Sequence, residues 1–178
     1  GGEVRIAKSS NFITFDDIWS VHKKEYNSAS IEKSTIKRGK DGHWRYFSSY
    51  VDPEDGRWCT TINKAESVED LDSGNTERLF PATDLGLAGI KDPWLLEVDG
   101  TYHLFLSVAI NTAATTENAH STLDIFNTGE CVSATALATS KDLDNWDWQG
   151  VVLTPEGKTG WDKYCRRINS VLPLDGQY

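Results

Sequence analysis

The sequence contains no methionine, and only three cysteines and five prolines, in 178 residues. Cys59, Cys131 and Cys165 are an odd number without metal-ligand or redox spacing, so they read as buried, inert thiols. No run of apolar residues is long enough to cross a bilayer as a helix. Cations are scarce: 18 Lys and Arg face 27 Asp and Glu, for a net charge of -9. That balance excludes nucleic acid or an anionic membrane as the main partner, because both require clustered Lys and Arg. The one basic run, Lys33 to Lys40, is interleaved with strand-forming residues and reads as an exposed strand and turn. A glycine-rich phosphate loop, a nucleophile elbow and any His, Asp or Glu group with metal spacing are also missing, so no cofactor and no metal are expected. No signal peptide is visible. The chain opens Gly-Gly-Glu and stops at Tyr178 in what reads as the second strand of a hairpin. It therefore reads as an internal piece of a larger protein, with its compartment undecided.

What is abundant is aromatic: seven Trp, six Tyr and six Phe. Rings at that density fill cores between packed sheets, and they also line sugar sites. Their placement repeats. An extended segment, then Asp-Gly, then an aromatic-rich strand ending in Ser occurs as 35–49, with the turn at Asp41-Gly42, and again as 94–107, with the turn at Asp99-Gly100. A third copy begins at Asn169 and reaches Asp175-Gly176. Asp-Gly between two strand-like runs suits the positive φ angles of tight hairpin turns. A second unit follows each hairpin: a strand, a small-residue turn, then an apolar residue and often an aromatic one. Its copies are Ile6 to Phe12 with Phe15, Ile62 to Ser67 with Leu71, and Leu137 to Leu143 with Trp146.

Four strands per repeat of this size match a propeller blade. The expected fold is all-β, a partial five-bladed β-propeller. It would hold the end of one blade (1–22), two whole four-stranded blades (28–84 and 89–155, the latter with an inserted loop at 111–131), and the start of another (164–178). A β-sandwich with a coincidental Asp-Gly rhythm is the alternative.

The innermost strand of a blade lines the central channel, and here it should open each repeat. Those openings carry Glu32, Asp92, and Arg166 or Arg167. Two carboxylates and a guanidinium facing one channel form an acid/base site, and glycosidic bond cleavage requires such a carboxyl pair. Salt bridges that only close the gaps between blades are the competing reading. Trp94 and Trp161 are candidates for stacking on a sugar face, with core positions as the alternative. His22, His43 and His103 read as surface or packing residues.

The segment Ile90-Lys91-Asp92-Pro93-Trp94-Leu95, followed by Asp99-Gly100-Thr101-Tyr102-His103-Leu104-Phe105-Leu106-Ser107, resembles the Asp-Pro blade motif of the five-bladed propeller glycosidases. These are glycoside hydrolase families 43 and 32, with relatives in families 62 and 130. The Ala-x-Ser-x-x-Leu-x-x-Trp turn at Ala138 to Trp146 is similar to an outer-strand signature of the same group. The resemblance implies a central pocket, a carbohydrate substrate, Asp92 as the carboxylate that fixes substrate and tunes the acid, and Glu32 as the general acid. Lys91, Arg166, Arg167, Trp94 and Trp161 would then contact substrate. In families 43 and 32 an Asp base precedes the Asp-Pro carboxylate and the Glu acid follows it; here Glu32 precedes Asp92. The expected function is cleavage of glycosidic bonds. A related phosphorylase or a non-catalytic carbohydrate-binding propeller are the alternatives.

Overall fold

A computed structural model describes residues 2–155 and 159–178. The chain is all-β. Strands β3 (Ile31–Arg38), β4 (Trp44–Val51), β5 (Trp58–Ala65) and β6 (Glu77–Phe80) form one antiparallel meander. Strands β7 (Gly89–Val98), β8 (Thr101–Ile110), β9 (Val132–Ser140) and β10 (Asp147–Leu153) form a second. Strands β1 (Glu3–Lys8) and β2 (Asp16–His22) form a two-stranded sheet.

The middle sheet is buried on both faces. Along β4, Arg45 to Val51 are all buried, as expected of a strand covered above and below. Successive side chains of a strand point to opposite faces. Accordingly Tyr46 meets Trp19 of β2, edge-on with ring centroids 5.0 Å apart, while Phe47 meets Trp146 on the other side, at 5.6 Å. A two-sheet sandwich buries one face per sheet, so this three-layer stack sets the sandwich alternative aside. Between the two large sheets, the alternating Leu104, Leu106 and Val108 of β8 and Ala134, Ala136 and Ala138 of β9 join Phe47 and Ile90 in the main core. The three alanines let the sheets approach closely where β8 and β4 carry bulk.

Local chemistry sets the turns. Asp99 and Gly100 both have positive φ, 48° and 71°, so β7 and β8 meet in a two-residue turn. Asp175 and Gly176 adopt the same conformation, with Leu174 and Gln177 exchanging both backbone hydrogen bonds. Asp41-Gly42 does not: only Gly42 has positive φ, within a wider loop that spans 39–43. There Asp41 is taken up by Arg45, and a Cβ on Gly39 would lie 2.6 Å from that guanidinium, so any side chain there would have to displace it.

The small-residue turn recurs with the same bonding. The backbone N–H groups of Asp142 and Leu143 donate to Ser140 Oγ, and those of Asp144 and Asn145 to Asp142 Oδ1. Asn11 and Phe12 donate to Ser9, and Ile13 and Thr14 to Asn11, in the same pattern. Leu143 and Phe12 both take left-handed φ, 70° and 59°. Their surroundings differ. Leu143 is fully buried against the middle sheet, whereas Phe12 is 88% exposed. The copy after β5 lacks this bonding: Ser67 instead donates its hydroxyl to Asp70, and Leu71 is buried.

The segment 111–131 is not a free loop. Ile125 and Phe126 are buried with Val51, Trp58 and Ala109 in a second core, and Trp58 Nε1 donates to Leu123 O at 3.0 Å. The hydroxyls of Thr112 and Thr115 donate to Glu130 O, at 2.6 and 2.8 Å, and tie its two ends together.

An ion network joins the two large sheets. Arg45 of β4 is fully buried and makes paired contacts to Asp41 and to Asp144, with Lys64 adding a 2.8 Å bond to Asp144. The hydrogen bonds from Arg45 hold both carboxyls below their usual range. Both groups are therefore stabilising while ionised. Their contribution is complete above the unfolded carboxylate pKa of about 4 and is lost as pH falls below it. We expect the melting temperature to drop in that acid range, and Asp144→Asn to flatten the drop. A melting temperature independent of acid pH would contradict the assignment.

Candidate active site

The openings of β3 and β7 lie side by side, and each carries a bulge. In β7, Pro93 has no N–H to donate, so the ladder to β8 passes from Lys91↔Ser107 to Trp94↔Phe105 and leaves Asp92 out of register. Asp92 takes a left-handed φ of 57°, which Asp tolerates better than most residues. In β3 the ladder passes from Glu32↔Ser49 to Ser34↔Ser48, leaving out Lys33 with φ 31°. The equivalences are therefore Glu32 with Lys91 and Lys33 with Asp92. Counting back from the Asp-Gly turns had aligned Glu32 with Asp92; each bulge inserts one residue, but Asp41-Gly42 lies inside the loop 39–43 whereas Asp99-Gly100 is the whole turn, so the count back does not carry over.

These four side chains and Arg167 form one cluster. Lys91 Nζ lies 3.1 Å from Glu32 Oε2, 4.8 Å above the Trp58 ring and 5.0 Å from the Phe126 ring. Asp92 is 6% exposed. Its backbone N–H donates to Ser49 Oγ at 2.8 Å, which anchors the bulge to the neighbouring sheet. Its Oδ2 lies 3.9 Å from Lys33 Nζ and 3.7 Å from Arg167 Nη1, both beyond hydrogen-bond length. Its Oδ1 is buried with no hydrogen-bond partner among the described residues. Leaving a buried acceptor unsatisfied costs about 1–3 kcal/mol.

Burial pushes the Glu32 carboxyl up, and neighbouring positive charge, Lys91 first, brings it below its ordinary value. Glu32 is thus kept ionised. Arg167 also donates to Asn127 Oδ1 at 3.3 Å and lies with its guanidinium carbon 5.9 Å from the Phe126 ring. A hollow of about 470 Å³, lined by Phe126, Asn127, Cys131, Tyr164 and Cys165, opens beside it.

The other sequence candidates have different surroundings. Arg166 pairs with Asp162, and its N–H donates to Ser133 O at 2.9 Å. Trp94 is half-buried against Phe105 of its own sheet, at 6.2 Å. Trp161 is 98% exposed. Cys59 and Cys131 are buried with burial raising both thiols, Cys59 to about 12. Lys33, Ser49 and Phe126 were not among the sequence candidates. Lys33 had a signal, since it follows Glu32 as Asp92 follows Lys91. Ser49 and Phe126 had none, because their roles depend on contacts between sheets.

Solved structures of glycoside hydrolases are similar in fold. A solved structure described as a glycoside hydrolase superposes with a TM-score of 0.51 at 19% identity, over 97% of this chain and 50% of that one. Zg3597, a family 117 glycoside hydrolase from the marine bacterium Zobellia galactanivorans, superposes with a TM-score of 0.51 at 12% identity, over 91% of this chain and 47% of that one. The chain has a glycoside hydrolase-like fold. It spans about half the length of these neighbours. No protein-family model matches it, and no curated protein matches it significantly.

Proposed function

We propose that the chain carries part of the channel wall of a five-bladed propeller glycosidase, and that Asp92 and Glu32 act on a glycosidic bond. The observation that carries this reading is the unpartnered, buried Oδ1 of Asp92, on the bulge of a strand that packs beside β3. A sugar hydroxyl supplies the missing donor, and the carboxylate's charge stabilises the positive charge that develops at the anomeric carbon. Ionised Glu32, oriented by Lys91, suits a base that activates water. A general acid must keep its proton at working pH, so the depressed Glu32 does not suit that role. The proton donor is then a carboxyl group outside this cluster. Arg167 and Lys33 lie beside Asp92 without hydrogen-bonding it. Arg166 is engaged with Asp162 and Trp94 packs on Phe105, while the exposed Trp161 suits stacking on a sugar.

The test is release of reducing ends from a panel of oligosaccharides by the full-length protein and by Glu32→Gln. Turnover that falls about 100-fold or more in the variant, with binding retained, fits a base. Equal turnover would remove Glu32 from the mechanism. A protein that binds glycans but cleaves none would be a carbohydrate-binding propeller.

A further inference from the structure

We infer that the sugar taken by this site is anionic, bearing a carboxylate or sulfate that sits against Lys33 and Arg167; the inference rests on the glycosidase reading above. Among the described residues the cluster holds three cations, Lys33, Lys91 and Arg167, and two carboxylates, Glu32 and Asp92. Lys91 is matched by Glu32 at 3.1 Å, whereas Lys33 and Arg167 share the single carboxylate of Asp92. One positive charge is in excess. It stands out in a chain whose net charge is -9, where cations are otherwise outnumbered.

The distances point the same way. Lys33 and Arg167 approach Asp92 only to 3.9 and 3.7 Å, so neither is committed to it by a hydrogen bond. They converge on Oδ2, while Oδ1 stays without a partner. A ligand complementary to this arrangement brings a hydroxyl donor to Oδ1 and an anionic acceptor to the two cations. An acidic sugar carries both on one ring. A neutral sugar satisfies Oδ1 alone and leaves the excess charge unmatched. Arginine binds a planar carboxylate through paired N–H groups, and charge-assisted bonds of this kind are about twice as strong as neutral ones.

The experiment compares three probes with the full-length protein: an oligogalacturonide, its methyl ester, and a neutral oligosaccharide of the same length. A sulfated oligosaccharide and its desulfated form provide a second pair that separates sulfate from carboxylate. Binding is followed by calorimetry and cleavage by reducing ends. We expect one acidic form to be preferred over its neutralised partner by about tenfold, as for one added charge-assisted contact. Added salt should narrow the preference, and both Lys33→Gln and Arg167→Gln should abolish it. Equal handling of acidic and neutralised forms, with cleavage that still depends on Glu32, would overturn this inference and leave the glycosidase reading intact. Selective binding of the acidic form without cleavage would keep the inference and overturn the glycosidase reading. A preference that survives both substitutions would also overturn it.

Discussion

Arg45→Met is expected to lower the stability of the full-length protein by about 2 kcal/mol, below the range for breaking a buried ion pair, because no buried charge is left without a partner. The side chain is 1% exposed, and its partners Asp41 and Asp144 are 43% and 39% exposed. That asymmetry sets the size of the effect. Removing the arginine discards four hydrogen bonds to the two carboxylates, but those carboxylates regain water and keep Lys64 beside them. Methionine fills much of the vacated space without a buried charge, which limits the cavity cost. The opposite truncation, Asp144→Ala, leaves the guanidinium in place with Asp41 as its remaining carboxylate. It should weaken the contact between the two large sheets less than removal of Arg45. Urea unfolding of both variants measures this. A stability unchanged in Arg45→Met would mean that the network joins the sheets without holding them together.

Asp92→Asn is expected to reduce kcat by about 100-fold or more, the scale of a positioned charged group in the transition state. Its effect on stability should be small. Asparagine has nearly the same volume and, like aspartate, tolerates the left-handed φ of 57° found here. The backbone bond to Ser49 Oγ does not depend on the side chain. Lys33 and Arg167 lose a counter-charge, while a poorly satisfied buried carboxylate is also removed, and these changes oppose each other. A purely structural Asp92, one that closes a salt bridge between sheets, makes the reverse prediction: lost stability with kcat per folded molecule preserved. Thermal unfolding and kcat measured on the same preparation separate the two.

The two predictions concern charges of different legibility. Asp92 stood out in the sequence because Pro93 follows it and an Asp-Gly hairpin comes seven residues after it. Arg45 did not stand out, since nothing local distinguishes it from a solvated strand arginine. Its partner Asp144 lies 99 residues away, on a turn of the other large sheet. Asp41 carried a signal that misled: Asp-Gly suggests a two-residue turn, as at Asp99-Gly100, but the pull of Arg45 on its carboxylate goes with a wider loop.

The strands, the positive φ angles at Gly42, Gly100 and Gly176, and the bonding of the Ser-x-Asx turns were written in the sequence, because each arises from residues within a few positions of one another. The all-β class follows from their repetition. Which charges meet was decided by the tertiary structure alone. The bulges of β3 and β7, one inserted residue each, set Glu32 level with Lys91 and Lys33 level with Asp92, and inter-sheet packing brought Lys33 and Arg167 to a single carboxylate. Side-chain direction in a strand reverses with every residue, so each one-residue bulge changes every partner beyond it.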